Sequence, residues 1–456
     1  LSIDRKQVET LFSYYTSHSS ITDPQRDTIH DKFDQALIHF YRQSPAVILV
    51  DPQNQFRGRW DPSYTGLKEI GYKHSSDGFI DGEMIPGSWS LLLYTPQGFI
   101  QSSSLHVTIE MSTDQDRGRE VSPTYPIPET TVQETNLAWL IGELHEHTSR
   151  SQGSWAPEIT LTTYHQLGYH FLALSDHDIP PLSSLQITSP IGLIRGQEIQ
   201  WNFGHALLLG IREWFSPNPG EEPANLLELI HDVHVREGLF CVVHPFAINL
   251  QAHSPFSTEE GMAWSGVDLL EIWSGLWCDR FPEILKAFDL WDHLLNRGYR
   301  IYGTCGKGSH EPAIQEVLDR SPKTLLLSEA LSETQLLSAL KQGHFYSTIE
   351  PAISMRVESE QGGVFMGDEL RIPVQSRYQL VIEITQLERA FIRIKTNKGI
   401  YCEMPASSSQ DTQLKFYERA KSEVQWFRIE IYRYGNPLDE LIAFSNPLFV
   451  RGMFSA

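Results

Sequence analysis

Short apolar runs bounded by Gly, Pro, Asp and Asn recur along the chain, and the segments between them change character twice. Between about residues 136 and 350 the runs 138–141, 171–174, 192–194, 206–209, 239–243, 267–272, 301–302 and 324–327 alternate with stretches whose apolar residues fall at helical spacing. These stretches predict helices over 157–168, 223–237, 281–297 and 332–342. Pro157, Pro223 and Pro282 stand near three of the starts, where a missing backbone N–H is tolerated. Alternating strand and helix predicts a parallel sheet, and seven or eight such units predict a closed or nearly closed α/β barrel. A doubly wound open sheet is the alternative.

The flanks have a different texture. The first part, 1–130, opens with helical patterning over 6–15 and 31–42, then turns to short strands at 46–50, 88–94 and 105–111, which predict a small β-sandwich. Residues 112–130 are polar and Pro-rich and are expected to be a linker. The last part, 351–456, returns to strands at 352–358, 378–384, 391–395 and 424–432, and a second β-sandwich is expected there. Three parts suit a length of 456 residues.

Hydrophobic residues at 40% and charged residues at 20% are ordinary globular values. A net charge of −21 argues against non-specific nucleic-acid binding, because most of the surface repels phosphate. No apolar run approaches the roughly 20 residues that span a bilayer, so a soluble protein without membrane contact is expected. Four cysteines without a CxxC pair form no disulfide framework and favour a reducing, cytoplasmic setting. A targeting segment upstream of Leu1 and the oligomeric state stay open.

Histidine changes the picture. Of 18 histidines, 12 lie between His145 and His310. His145 and His147 follow the run 138–141, and residues two apart on a strand project to one face. The run 171–174 leads to Ser175-Asp176-His177, 192–194 to Glu198, 239–243 to His244-Pro245, and 301–305 to Gly306-Lys307-Gly308-Ser309-His310. His205 precedes 206–209, where a hairpin return brings it beside Glu198. In a parallel barrel all strand C-termini meet at one mouth, so these imidazoles converge there and form a metal site. Imidazoles with one carboxylate suit Zn, Mn or Fe. Glu198 is the candidate to bridge two ions, and Asp176 is a candidate to orient the His177 ring. Such a site lowers the pKa of bound water and supports hydrolysis of a small-molecule anionic or ester substrate, with His177 and Asp176 as candidate catalytic residues.

The ordered series His145-Glu146-His147-Thr148 with Ser151, then Ser175-Asp176-His177, Glu198, His244-Pro245 and a Gly-rich stretch ending in His310, resembles the PHP superfamily of polymerase-associated and histidinol phosphatase domains. The segment 337–346 (LSALKQGHFY), with 86–91 and 445–448, is similar to a carbaryl-hydrolase-like branch that carries β-sandwich additions on both sides. The resemblance covers most of the chain and is strongest over 140–310. It implies a distorted seven-stranded (βα) barrel and metal-dependent phosphoester hydrolysis. It implies metal ligands at His145, His147, His177, Glu198, His205, His244 and His310.

Two positions depart from the family pattern. Gln152 and Gly308 stand where an acidic residue is usual, so one or two ions are expected rather than three. Lys307 or Arg150 is then expected to meet an anionic substrate. Glu143, Glu146 and Glu271 are candidates to replace a lost ligand. The alternative function is a degenerate barrel that acts as a binding module. Cys241 and Cys305 lie in apolar runs and are expected to be packing residues, and no GxSxG or P-loop signature is present.

Overall fold

The computed structural model describes residues 46–53, 55–60, 68, 70–71, 75–76, 79, 83–94, 108, 134–182, 189–201, 204–215, 226–247, 256, 264–308, 320–385, 387, 390–406, 411–434 and 439–454. The expected helices at 6–15 and 31–42, the linker 112–130, Pro223 and His310 lie outside the described residues, as does all but residue 108 of the expected strand 105–111.

Near the N-terminus β1 (Ala46–Val50), β2 (Phe56–Trp60) and β3 (Ser90–Tyr94) form an antiparallel sheet with β1 in the centre. Ile48, Val50 and Phe56 from this sheet pack against Ile179, which follows the His177 turn.

The middle of the chain contains β4 (Glu134–Glu146), α1 (Pro157–Gln166), β5 (Phe171–Leu174), β6 (Gly192–Trp201), β7 (Gly204–Leu209), α2 (Leu226–Val235), β8 (Leu239–Val243), β9 (Leu269–Ser274), α3 (Trp277–Asn296), β10 (Tyr302–Gly306), β11 (Lys323–Ala330), α4 (Glu333–Lys341) and β12 (Phe345–Thr348). The strands run in the spatial order β10-β9-β8-β7-β6-β5-β4-β11-β12. All four residues of β5 and all five of β8 are buried, the pattern of strands covered on both faces.

The sheet is not wholly parallel. β7 is antiparallel to both β6 and β8, and β11 is antiparallel to both β4 and β12. Only two residues separate Trp201 from Gly204, enough for a hairpin but not for the dozen-residue crossover that parallel strands need. Just past β10, at one end of this order, the Gly308 N–H donates to the carbonyl of His145 in β4 at 3.0 Å. Gly306 permits that approach, since a Cβ there would lie 2.6 Å from His145 Cβ.

The helices follow the apolar spacing with one shift. Pro157 is the first residue of α1, and Ser332 caps α4 by accepting from the Gln335 N–H. Pro282, expected near a helix start, lies inside α3. The helix starts earlier because Trp277 and Phe281, four apart, bury on the same face as Ile284, Phe288 and Trp291.

The last part contains β13 (Ala352–Ser359), β14 (Gly362–Phe365), β15 (Glu369–Pro373), β16 (Arg377–Thr385), β17 (Ala390–Thr396), β18 (Gly399–Pro405), β19 (Thr412–Arg419), β20 (Gln425–Arg433), β21 (Glu440–Ser445) and β22 (Leu448–Met453). β14-β13-β16-β19 form one sheet, and the others extend the large sheet of the middle part through the β12–β21 pair. Met355, Val357, Leu380 and Ile382 of the small sheet share a core with Ile392, Ile394, Ile429 and Ile431 of the large one. Whole-chain architecture is therefore mixed α/β, rich in sheet. No helix among the described residues is long and apolar enough to cross a membrane.

Candidate metal centre

The topology brings one end of five neighbouring strands together. His145 lies near the C-terminal end of β4, with His147 just beyond it, and His177 stands three residues past β5, where it bridges to Glu198 of β6. His244 follows β8 directly. His205 lies near the start of β7, and because β7 runs opposite to its neighbours that start shares their mouth, with His205 paired to Gln200 and to Val243.

Glu198 is the hub. Its Oε2 lies 3.0 Å from His145 Nε2, 3.2 Å from His147 Nε2 and 3.3 Å from His177 Nδ1. Its Oε1 lies 2.8 Å from His205 Nδ1 and 3.5 Å from His244 Nε2. The ligand atoms of His145, His147 and Glu198 form one group within 4.8 Å, and those of His177, Glu198 and His205 form another. Both groups share Glu198. The rings of His147 and His177 stack with centroids 4.3 Å apart.

The site is deep, with Glu198 fully buried and the His145 side chain 1% exposed, while the His244 side chain is 20% exposed and marks the opening. Burial works against the Glu198 charge, yet His177 and His145 outweigh it and hold the carboxyl well below its usual range. Burial likewise opposes charge on His145, but Glu198 and Glu271 outweigh it and hold the imidazole well above its ordinary value. Burial pushes His244 down, only partly opposed by Glu198.

Residues around this cluster hold it in place. Glu271 in β9 accepts at His145 Nδ1 over 2.7 Å, so that Nε2 faces Glu198. Glu143 accepts the His145 N–H at 3.0 Å and the Lys307 N–H at 3.1 Å, joining β4 to the end of β10. Glu271 is therefore a support of His145, and Glu143 binds main chain.

Asp176 was expected to orient the His177 ring. It organises the neighbouring turn instead, accepting from the Thr148 N–H at 2.7 Å, the Thr148 hydroxyl at 2.6 Å and the Ser151 hydroxyl at 2.6 Å. The turn is tight because a Cβ at Gly153 would meet the His147 carbonyl oxygen at 2.4 Å. Arg150 donates to the Pro180 carbonyl at 2.8 Å.

Lys307 is drawn away from the imidazoles. Its ammonium donates to Tyr164 of α1 at 2.7 Å and lies 3.7 Å from Glu146, whose carboxylate accepts the Tyr164 hydroxyl at 2.6 Å. Strand alternation explains this, since Glu146 points to the face opposite His145 and His147. Cys241 and Cys305 are buried at 2% and 1% exposure, and burial pushes both thiols up.

Two contributors escaped the sequence. Arg59 of β2 donates to the His177 carbonyl, and Gln200 places its amide nitrogen 3.4 Å from His177 Nε2. The only local signal was a pair of arginines at alternate positions of a short strand, 57 and 59, which shows that they share a face but not what they meet.

The donor set suits a transition ion. Five imidazoles and one carboxylate crowd a buried space, and each neutral ring carries a bare lone pair that one carboxylate cannot satisfy. No family model and no curated protein matches this sequence. Among solved structures, the chain is similar to a two-domain protein containing a predicted PHP-like metal-dependent phosphoesterase from Bacteroides vulgatus, at 13% identity and a TM-score of 0.38, over 74% of this chain and 100% of that one. It is also similar to an amidohydrolase from Chromobacterium violaceum with bound sulfate and no metal, at 14% identity and a TM-score of 0.27, over 39% of this chain and 89% of that one.

Proposed function

We propose that this protein is a metal-dependent hydrolase of the PHP type, acting first on phosphoesters, with carboxyl or carbamate esters as the second substrate class. The observation that carries the reading is the arrangement of five histidines around Glu198: His145 and His147 in one donor group, His177 and His205 in a second that shares its carboxylate, and His244 3.5 Å from it. One or two ions of Zn, Mn or Fe suit this set, with His310 as a further expected ligand. A divalent ion held there supplies Lewis acidity and lowers the pKa of water toward neutrality.

The chain's own residues do the rest. Glu198 links the two donor groups, and Glu271 keeps His145 turned toward it. His244, the most exposed imidazole of the set, stands where substrate enters. Asp176 holds the 148–151 turn, and Arg150 on that turn is the cation proposed to meet an anionic substrate. Lys307 is held by Tyr164 and Glu146 and supports the turn that ends β10. His177, between Glu198 and Gln200, is proposed to move a proton as the ester is cleaved.

Protein purified without chelator should contain more than about half an ion per chain. Turnover of p-nitrophenyl phosphate or acetate with added Mn or Zn should disappear in His145→Ala and Glu198→Ala. Metal bound with no turnover of any ester would favour the degenerate binding module. A chain that takes up no transition ion would overturn the reading.

A further inference from the structure

Arg59 comes from the N-terminal sheet, outside the strands that carry the imidazoles, and it is buried against them with its side chain 3% exposed. Its guanidinium reaches three groups around one turn. Nη1 donates to the His177 carbonyl and lies 3.4 Å from Asp178 Oδ2, and Nη2 donates to Gln200 Oε1 at 3.1 Å. Gln200 closes the ring of contacts, since its backbone N–H donates to Asp178 Oδ1 at 3.0 Å and its amide nitrogen faces the His177 ring. A guanidinium only donates, so it holds the Gln200 oxygen on itself, and Gln200 in turn ties Asp178 through its backbone N–H.

The turn needs an external hold. Asp178 has φ of 51°, a left-handed conformation that aspartate tolerates better than most residues but that still favours a turn held from outside. That hold comes largely from the N-terminal sheet and its neighbours. Ile179 packs on Ile48, Val50 and Phe56, and the Trp214 indole donates to the Asp178 carbonyl at 3.0 Å.

We infer that Arg59 is a positioning residue of the metal centre: it locks the 177–178 turn that carries His177, so that the N-terminal sheet is a working part of the site. The inference rests on the metal-centre reading above. A purely structural arginine would affect folding alone, whereas a positioning one changes how well the centre holds an ion.

The test is chelator-competition titration of the full chain with Mn or Zn, alongside melting curves. Arg57 provides the comparison, being on the same face of β2 and similarly buried but holding Asp51 and the Glu83 carbonyl. Arg59→Met should weaken metal binding about 10–100-fold. Arg59→Lys, which keeps the charge near Asp178 but loses the planar fork, should fall between. Arg57→Met should melt lower and bind metal as the wild type does. If Arg59→Met folds poorly, Arg59→Met/Asp178→Asn removes the unpaired carboxylate and should regain stability while keeping the binding defect. Wild-type affinity in Arg59→Met, or in Arg59→Met/Asp178→Asn, overturns this assignment alone. A wild type that binds no ion overturns it together with the functional reading.

Discussion

Glu198 and His145 show how much of this site is decided by one residue's neighbours. A buried carboxylate is costly by itself, and a buried imidazolium equally so; each is kept charged by the other, with Glu271 behind His145. An ion entering the site therefore displaces protons. Calorimetry in buffers of different ionisation enthalpy should register net proton release on Zn or Mn binding, and affinity should fall as pH is lowered through the range where the imidazoles charge. Glu271→Gln should weaken metal binding by about 10–100-fold, because His145 loses the partner that orients it. Glu146 behaves in the opposite sense. Burial raises its pKa to about 8, so the folded chain holds a proton that the unfolded chain has lost. Metal-free protein should therefore lose stability as pH rises from about 4.5 toward 8, and Glu146→Gln should flatten that slope in melting curves across the range. Cysteine burial and the HxH pair could be read from local sequence. The diversion of Lys307 to Glu146 could not, because it depends on which face of β4 meets α1.

At the scale of elements, two close approaches hold the mouth together. Gly306 ends β10 against β4, and a Cβ there would lie 2.5 Å from Glu271 Oε2 as well as against His145. Gly306→Ala should cost about 1–3 kcal/mol in stability and weaken metal uptake, since the added methyl pushes on the pair that orients the first ligand. Most strands and helices of the middle part could be read from their apolar periodicity, because that periodicity is what buries them. The reversal of β7 was only partly readable. A hairpin return ahead of 206–209 brings His205 beside Glu198 in the sequence reading, yet the units as a whole read as parallel. The start of α3 is set by the Trp277–Phe281 face that the tertiary contact buries, and Pro282 carries no signal of it. In the last part, β14, β15, β18, β19, β21 and β22 were not expected. β19 alternates half-buried with exposed positions and β18 is mostly exposed, so pairing with other strands is what makes them strands.

For the whole molecule, the last part does more than append a sandwich. Arg428 of β20 is fully buried and donates to Asp292 of α3 and to Glu430. Its guanidinium also lies over the Phe288 and Trp291 rings. Asn446 accepts the Gly303 N–H at 2.7 Å and donates to the Phe345 carbonyl at 3.0 Å, tying β10 and β12 to the end of β21. Arg428→Met takes one partner each from Asp292, which keeps Lys395, and from Glu430, which keeps Arg393 and Tyr432, and should cost about 1–3 kcal/mol in denaturant unfolding. Asn446→Ala should cost about 1–3 kcal/mol for two stranded main-chain groups.

The residue types and their order along the chain were enough to determine that imidazoles end successive apolar runs, and that alternating strand and helix is flanked by strands. Those are local properties, set by backbone geometry and by burial of one face. Tertiary structure decided which atoms meet: that Glu198 takes five rings, that Asp176 serves a turn and Lys307 a tyrosine, and that Arg59 from a distant sheet closes on His177. A side chain's partner depends on which elements pack against its face, and sequences separated by more than a hundred residues carry no local signal of that contact.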